Sequence, residues 1–482
     1  MSEVIEQPLD AHEIKQRFAA RGGVRPIVCV QGLGFVGAAM AAAVARARGE
    51  NGELVFDVVG VDRPGPDGEA RIEAVNRGRF PFATTDPDVI DAVKRGAEAG
   101  NLVGTSDDAV YGLASVILVD VNFDIDWSGD QPRFAMDKFT EALRSIGRNM
   151  REDALVIVET TVPPGTCAKV VAPALERHLR DRGLPADRFL LAHAYERVMP
   201  GDRYLDSIVN FWRVFSGHTE GAADACEAFL GAVVNTREFP LRRLGSTTAS
   251  ETAKVLENSY RAVTIALMDE WGRFAETAGI DLFEIVSAIR VRPTHSNMRT
   301  PGLGVGGYCL TKDPLFAEVA ARDLFDAPDV RLPFSSQAVD VNSAMPLRAL
   351  ARLKELIGPL AGRRILLLGL AYRPDVGDTR SSPSLDFWRA AEDDGATVLA
   401  HDPLVARGPE TRGADVSEMP SSAQIDAIVF AVDHRFYAEF DFAEWLGGRR
   451  PFVFDANGVL GSKRRSALRA LGCAVASVGC GE

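Results

Sequence analysis

No Cys-x-x-Cys pair occurs in the chain, although there are six cysteines, at 29, 167, 226, 309, 473 and 480. Scattered thiols without such a spacing point to reduced cysteines of a cytoplasmic protein. They point away from a zinc site or a disulfide framework, so no metal is expected. Nor does any apolar run reach about 18 residues, the length that reads as a membrane-crossing helix. Positive charge is also in short supply: 54 Lys and Arg stand against 67 Asp and Glu, for a net charge of −13. That deficit argues against a surface for nucleic acid or anionic lipid, but leaves room for a local basic pocket. The first 25 residues are charged and polar without an apolar centre, and do not read as a signal peptide.

What is present is an ordinary globular balance, 46% apolar and 25% charged, in 482 residues. That length suggests about three domains. After an N-terminal extension over 1–25, Pro26–Val30 reads as a buried parallel strand. It runs into Gly32-Leu33-Gly34-Phe35-Val36-Gly37 and an alanine-rich helix from Ala38 to Ala47. This is G-x-G-x-x-G with a strand before it and a helix after it. Gly32 makes the tight turn, Gly34 admits a pyrophosphate, and Gly37 lets helix and strand pack closely. The helix N-terminus then offers its partial positive charge to the phosphates. The next strand, Leu54–Val61, ends in Asp62. A carboxylate there accepts from ribose hydroxyls and repels a 2′-phosphate, which favours NAD over NADP. The adjacent Arg63 offsets part of that preference.

Further strands are expected at Ser115–Val121, Ala154–Thr160, Phe189–His193 and Arg213–Ser216, with helical segments between most of them. The alternation implies a doubly wound parallel sheet to about residue 217. Its strand ends carry Thr160–Thr166 and Glu196–Gly201, either as ligand-facing residues or as loop and cap chemistry. From Thr248 to Thr277 the pattern is one long helix, with Lys254 and Asn258 on a shared face. On composition alone that pair reads equally as a solvated stripe. An irregular linker is expected near 320–345. A second, smaller parallel sheet follows, with strands at Arg364–Leu370, Thr397–His401, Ala427–Val432 and Phe452–Asp455. Its first loop carries Arg373 and Arg380, which can grip a diphosphate or pair with Asp375 and Asp378.

One stretch remains, Gly304-Val305-Gly306-Gly307-Tyr308-Cys309-Leu310-Thr311-Lys312-Asp313-Pro314. Glycines crowd the approach to a single cysteine, and a cation and an anion follow it. The stretch reads as a displayed thiolate nucleophile, or as a flexible loop beside a structural cysteine.

Taken together and in order, five motifs resemble the UDP-glucose/GDP-mannose dehydrogenase family: Gly32–Gly37, Thr161-Val162-Pro163-Pro164-Gly165, Glu251-x-x-Lys254-x-x-x-Asn258, Gly306–Asp313, and Arg373–Arg380. The resemblance covers nearly everything from residue 26 to about 460. It implies two Rossmann-like doubly wound parallel-sheet domains joined by a long central helix. The boundaries are 26–217 for NAD binding, 218–345 for the helix and cysteine loop, and 346–482 for the UDP-sugar. A homodimer or higher homo-oligomer would form through the helix. The resemblance further implies oxidation of a sugar C6 alcohol to a carboxylate with two NAD+. In that chemistry Lys254 and Asn258 stabilise the alkoxide, Cys309 forms a thiohemiacetal and then a thioester, and Asp313, Thr161 and Glu196 serve water and protons. Arg373, Arg380, Gly306, Gly307, Tyr308 and Arg197 would contact the substrate, and Arg299 or Arg292 would reach a neighbouring subunit.

Two departures stand out. Asp120-Val121-Asn122-Phe123-Asp124 replaces the family's Pro-Thr-Pro. Ala194-Tyr195-Glu196-Arg197-Val198-Met199-Pro200-Gly201 resembles the UDP-N-acetylhexosamine branch, whereas Tyr308 and Lys312 resemble the UDP-glucose branch. Two other readings are a β-hydroxyacid-type dehydrogenase, which makes one NADH per substrate, and an epimerising or non-catalytic nucleotide-sugar binder, which makes none.

Overall fold

The computed structural model describes residues 9–22, 25–129, 131–199 and 201–481. Pro200 of the glutamate motif and part of the N-terminal extension lie outside them. The chain divides into two compact units: Met1–Val255 with Phe316–Arg331, and Leu256–Leu315 with Leu332–Glu482. The boundary between the units falls inside the long helix.

The first unit holds β1 (Ile27–Gln31), β2 (Asp57–Val61), β3 (Leu102–Thr105), β4 (Val116–Val119), β5 (Asp124–Asp126), β6 (Arg133–Ala135), β7 (Leu155–Val158), β8 (Leu190–His193), β9 (Val214–Gly217) and β10 (Arg242–Arg243). Eight of these make one sheet in the order β10-β9-β8-β7-β4-β1-β2-β3. Strands β1, β2, β3, β4, β7 and β8 are parallel, and nearly all their residues are buried. Helices covering both faces explain these near-continuous apolar runs. The expectation of a parallel sheet up to residue 217 needs one correction. Strand β9 pairs antiparallel with β8, and β10 then pairs parallel with β9. A short antiparallel hairpin, β5 with β6, begins at Asp124, the last residue of the segment that departs from the family pattern.

Strand β1 lies between β2 and β4, with Gln31 opposite both Val61 and Val119. The chain therefore leaves these three strands at one level, which places the Gly32 turn, Asp62 and Asp120 side by side. Strand order reverses at this point, the position where open α/β sheets bind ligands. In the helix Phe35–Ala45, every residue from Gly37 onward is buried, as suits small residues pressed between sheet and neighbouring helices.

The long helix runs from Thr247 to Ala278, 32 residues, or about 48 Å at 1.5 Å per residue. Within the first unit its start is fastened by buried polar groups. Ser250 Oγ meets His193 Nδ1 at 2.8 Å and Ser216 Oγ at 2.6 Å.

The second unit holds β11 (Arg364–Leu368), β12 (Thr397–His401), β13 (Ala427–Phe430), β14 (Phe452–Asp455) and β15 (Val475–Ser477). All are parallel, in the order β12-β11-β13-β14-β15. The expected linker is largely absent, since Pro333–Ile357 is a 25-residue helix with Pro346 inside it. Proline weakens a helix from within. Here burial of Val339, Met345, Leu350 and Leu353 outweighs that penalty.

Candidate active site

In the first unit the glycine turn is shaped for a diphosphate. Gly32 has φ +93°, and a Cβ there would lie 2.8 Å from the Asp120 carbonyl oxygen. A Cβ on Gly37 would fall 1.8 Å from the Gly32 carbonyl oxygen, whereas around Gly34 nothing lies within 4 Å. The turn is thus closed where the protein packs against itself and open where a ligand must come near. No side chain caps the helix that starts at Phe35, so its first N–H groups suit an anion. The Phe35 ring stacks on Phe82 at 3.9 Å.

Asp62 is buried at the end of β2. Its Oδ2 accepts from the Leu33 N–H at 3.1 Å and its Oδ1 from the Arg63 N–H at 2.8 Å. These two bonds set the carboxylate beside the turn, where a ribose would lie. The Arg71 side chain pairs with Asp62 at 3.2 Å, a partner that sequence reading missed. Arg63 contributes its backbone, while its side chain is exposed. These residues fit a dinucleotide.

Lys254 is buried. Its Nζ donates to the Glu196 carbonyl oxygen at 3.0 Å and sits 5.2 Å from the Tyr195 ring centre. The Glu196 carboxylate turns back to accept from the Val198 N–H. Burial, reinforced by Lys254, pushes the His193 imidazole down to about 3, so it is neutral and serves as a fixture for Ser250. Arg197 lies against Tyr195 and Phe211 and donates to the Trp212 carbonyl oxygen. Thr161 is partly exposed on the loop after β7. Its neighbour Thr160 fastens that loop, donating to the Val121 carbonyl oxygen at 2.8 Å. Fully buried Glu251 accepts from the Gly165 N–H at 2.6 Å and the Cys167 N–H at 2.7 Å. That ties the Thr161–Gly165 loop to the helix bearing Lys254.

In the second unit Cys309 is the one exposed cysteine. Its carbonyl oxygen accepts from the Asp313 N–H at 2.9 Å, closing a tight turn. Asp313 is fully buried between two donors, Asn258 Nδ2 at 2.8 Å and Lys312 Nζ at 2.7 Å. Lys312 also lies 4.4 Å from the Tyr308 ring centre. The glycines before the cysteine answer to a neighbour. A Cβ on Gly306 would meet the Ser381 carbonyl oxygen at 2.4 Å, and one on Gly307 would meet the Tyr372 ring at 2.9 Å. The Gly307 N–H donates to the Arg380 carbonyl oxygen at 2.9 Å. The cysteine loop and the Arg373–Arg380 loop therefore pack backbone against ring and backbone.

Of the two pairings expected for the arginines, Arg380 takes the carboxylate: it grips Asp378 through Nε at 3.0 Å and Nη2 at 2.6 Å. Asp375 pairs with Arg435 instead. Beside these, Arg261 escaped sequence reading. Its side chain is exposed, yet desolvation by the surrounding protein pulls its pKa below the usual arginine value, and the charges of Arg299 and Arg373 lower it further. Cys309 and Glu257 oppose that shift. Guanidiniums gathered in this way await an anion. The available signal was spacing: Arg261 stands three residues after Asn258, on the same helical face.

A dinucleotide turn with its ribose acid, in a chain that also displays a thiol next to clustered arginines, defines an NAD-dependent oxidoreductase. Residues 27–230 match the NAD binding domain of the UDP-glucose/GDP-mannose dehydrogenase family, 248–344 its central domain and 366–462 its UDP binding domain. The UDP-N-acetyl-D-mannosamine dehydrogenase of Pyrococcus horikoshii is 32% identical over 87% of this chain and 91% of its own length. An NDP-N-acetyl-D-galactosaminuronic acid dehydrogenase of Ralstonia nicotianae is 26% identical over 91% of this chain and 97% of its own. The crystal structure of an NDP-N-acetyl-D-galactosaminuronic acid dehydrogenase from Methanosarcina mazei superposes with a TM-score of 0.75 at 25% identity, covering 98% of both chains. The chain belongs to the UDP-glucose/GDP-mannose dehydrogenase family. It is an NAD-dependent dehydrogenase of nucleotide sugars.

Proposed function

We propose that this enzyme oxidises the C6 alcohol of a UDP-N-acetylhexosamine to a carboxylate through a covalent adduct on Cys309. The balance is one alcohol, two NAD+ and one water going to one carboxylate, two NADH and three protons. The observation that carries this reading is the displayed thiol, held by a turn whose buried Asp313 is anchored by Asn258 and Lys312. Bound NAD+ supplies the hydride acceptor.

In the first oxidation Lys254 and Asn258 stabilise the C6 oxygen as its proton leaves. The Cys309 sulfur then adds to the aldehyde carbon as a thiohemiacetal, which retains a reactive intermediate and presents a second carbinol for oxidation. The second hydride transfer leaves a thioester. Water attacks it, with Asp313, Thr161 and Glu196 moving protons, and releases the carboxylate and the thiol. Arg261, Arg299, Arg373 and Arg380 hold the diphosphate and uridine side. An acetylated hexosamine is favoured by the Glu196–Gly201 motif and by the substrates named for the relatives in Pyrococcus and Ralstonia.

The test is stoichiometry. UDP-N-acetylmannosamine, UDP-N-acetylglucosamine, UDP-N-acetylgalactosamine and UDP-glucose are each supplied in limiting amount and NADH is counted. Two NADH per sugar are expected for an acetylated hexosamine. One would indicate a single-step dehydrogenase, and none an epimerase or binder. Cys309→Ser is expected to lose turnover while keeping UDP-sugar and NAD binding; full activity in that variant would remove the covalent step.

We further propose that a second copy of the chain covers the long helix. Leu256, Tyr260, Leu267, Trp271 and Phe274 are 64%, 54%, 43%, 51% and 57% exposed. Their spacing of 4, 7, 4 and 3 residues keeps them on one face, and such an apolar stripe commonly marks an interface.

A further inference from the structure

The departure at Asp120 has a partner. Asp120 follows β4 and Glu159 follows β7, at the edge where the glycine turn lies. Asp120 is 8% exposed, Glu159 fully buried and Arg213 1% exposed. Among the described residues no backbone N–H or hydroxyl donates to any of the four carboxylate oxygens. Arg213 Nη1 stands 3.3 Å from Glu159 Oε1, while its other contacts are the Ala194 carbonyl oxygen and the Met40 sulfur. The two carboxyls are within reach of one another, and an O–H···O bond between them requires one proton. Charge counting gives the same answer. Two carboxylates with one guanidinium leave a buried net charge of −1, and one shared proton brings it to zero.

The pair also lies against the phosphate-binding helix. Asp120 Cβ is 3.2 Å from where a Cβ on Gly37 would stand, in the first turn of that helix. A diphosphate at the helix N-terminus therefore brings negative charge towards the pair.

We propose that Asp120 and Glu159 form a proton-linked gate on dinucleotide binding: the diphosphate is accepted when the pair holds one shared proton, and binding takes that proton up when it is missing. Burial raises both groups, and Glu196 on the β8 loop raises them further. Arg213 opposes the rise; the bond between the two lowers Glu159, placed at about 7, and raises Asp120, so Glu159 ionises first and the shared proton stays on Asp120 to higher pH. The buried Cys226 thiol, on the helix Glu220–Val233, also faces Glu159, and its own pKa is pushed up, so it stays neutral. The sign follows. A bound diphosphate raises the pair's pKa, so affinity is full while the shared proton is held and declines as pH rises through its loss, by at most roughly tenfold per pH unit.

The test reads binding alone, so its failure leaves the oxidation chemistry untouched. ADP-ribose, NAD+ and NADH are titrated calorimetrically into the full chain across pH 7 to 10, in buffers of different ionisation enthalpy, to count protons. Uptake that rises with pH towards one proton is expected for all three ligands, since all carry the diphosphate. Glu159→Gln and Asp120→Asn each imitate the shared-proton state in shape and charge. Each is expected to abolish both the uptake and the pH slope while binding ADP-ribose at pH 8.5 at least as tightly as the natural chain. A merely structural role would instead weaken binding at every pH. The proposal is overturned by zero uptake in the natural chain, by uptake that persists in both variants, or by uptake confined to ligands bearing nicotinamide. If one variant does not fold, the other and the natural chain's proton count decide.

Discussion

Replacing Asp402 by alanine should loosen the arginine loop more than any other single change in the second unit. Asp402 is fully buried just after β12. Its Oδ2 accepts from the Leu370 N–H at 2.7 Å, the Ala371 N–H at 2.9 Å and His434 Nε2 at 3.1 Å. Its Oδ1 accepts from Leu404 and Val405 at 3.0 and 3.2 Å. Two loops that diverge from neighbouring strands thus end on one carboxylate. Each buried N–H left without an acceptor costs about 1–3 kcal/mol. Four of them, partly rewetted in the vacated space, give about 4 kcal/mol, or roughly 10³-fold in the local opening equilibrium. Asp402→Asn keeps one acceptor and turns an amino group on the remaining donors, so about 2–3 kcal/mol is expected. Amide hydrogen exchange of the 366–376 and 400–406 segments, read by mass spectrometry, measures this directly. Acceleration below tenfold in Asp402→Ala would show that the loops hold themselves. Burial alone would raise the pKa of Asp402, but the His434 bond and charge and the backbone donors outweigh it and hold the carboxyl below its ordinary value. Its contribution is therefore present above the unfolded carboxylate value near 4 and fades as pH falls through the folded value. Asp402→Asn should lose that acid dependence.

Asp62→Ala should weaken NAD binding by about tenfold or more, the loss of one or two charge-assisted ribose bonds. It should also narrow the gap to NADP by freeing Arg71. NADH fluorescence titration checks both, and an unchanged affinity would place the ribose elsewhere. Arg261→Ala should raise the dissociation constant of the UDP-sugar by roughly 10–100-fold through loss of a charged donor, with NAD affinity unmoved; equal loss for both ligands would point to misfolding. Trp271→Glu should shift the chain to a monomer by light scattering, and an unaltered mass would mean that the helix stripe is covered in another way.

The parts of the molecule legible in its sequence were those where one residue type has one physical use. Glycine at Gly32 and Gly37 admits no substitute, and the long proline-free helix declared itself to within a residue at either end. Short elements were harder. Strand β3, Leu102-Val103-Gly104-Thr105, has only two strongly apolar residues before a glycine, and β10 has two residues in all; the reversed pairing of β9 depends on partners distant in the chain. The helix Pro333–Ile357 was hidden by Pro346, whose local penalty is overridden by burial. Arg261 and Glu159 were missed for a common reason. A charged residue in a helix or at a strand end is ordinarily solvated and unremarkable; only the fold shows that Glu159 is buried and that Arg261, though exposed, faces Arg299 and Arg373.

The docking of Gly306 and Gly307 against Tyr372 and Ser381 makes the sulfur and the arginine loop one rigid piece. Under the proposed chemistry that piece works as a ruler, laid from the phosphate end of a substrate to the atom attacked. A hexose carries its terminal carbon to the far mark, whereas a pentose bound by the same diphosphate stops one carbon short. Such a sugar would occupy the site as an inhibitor that the thiol cannot touch.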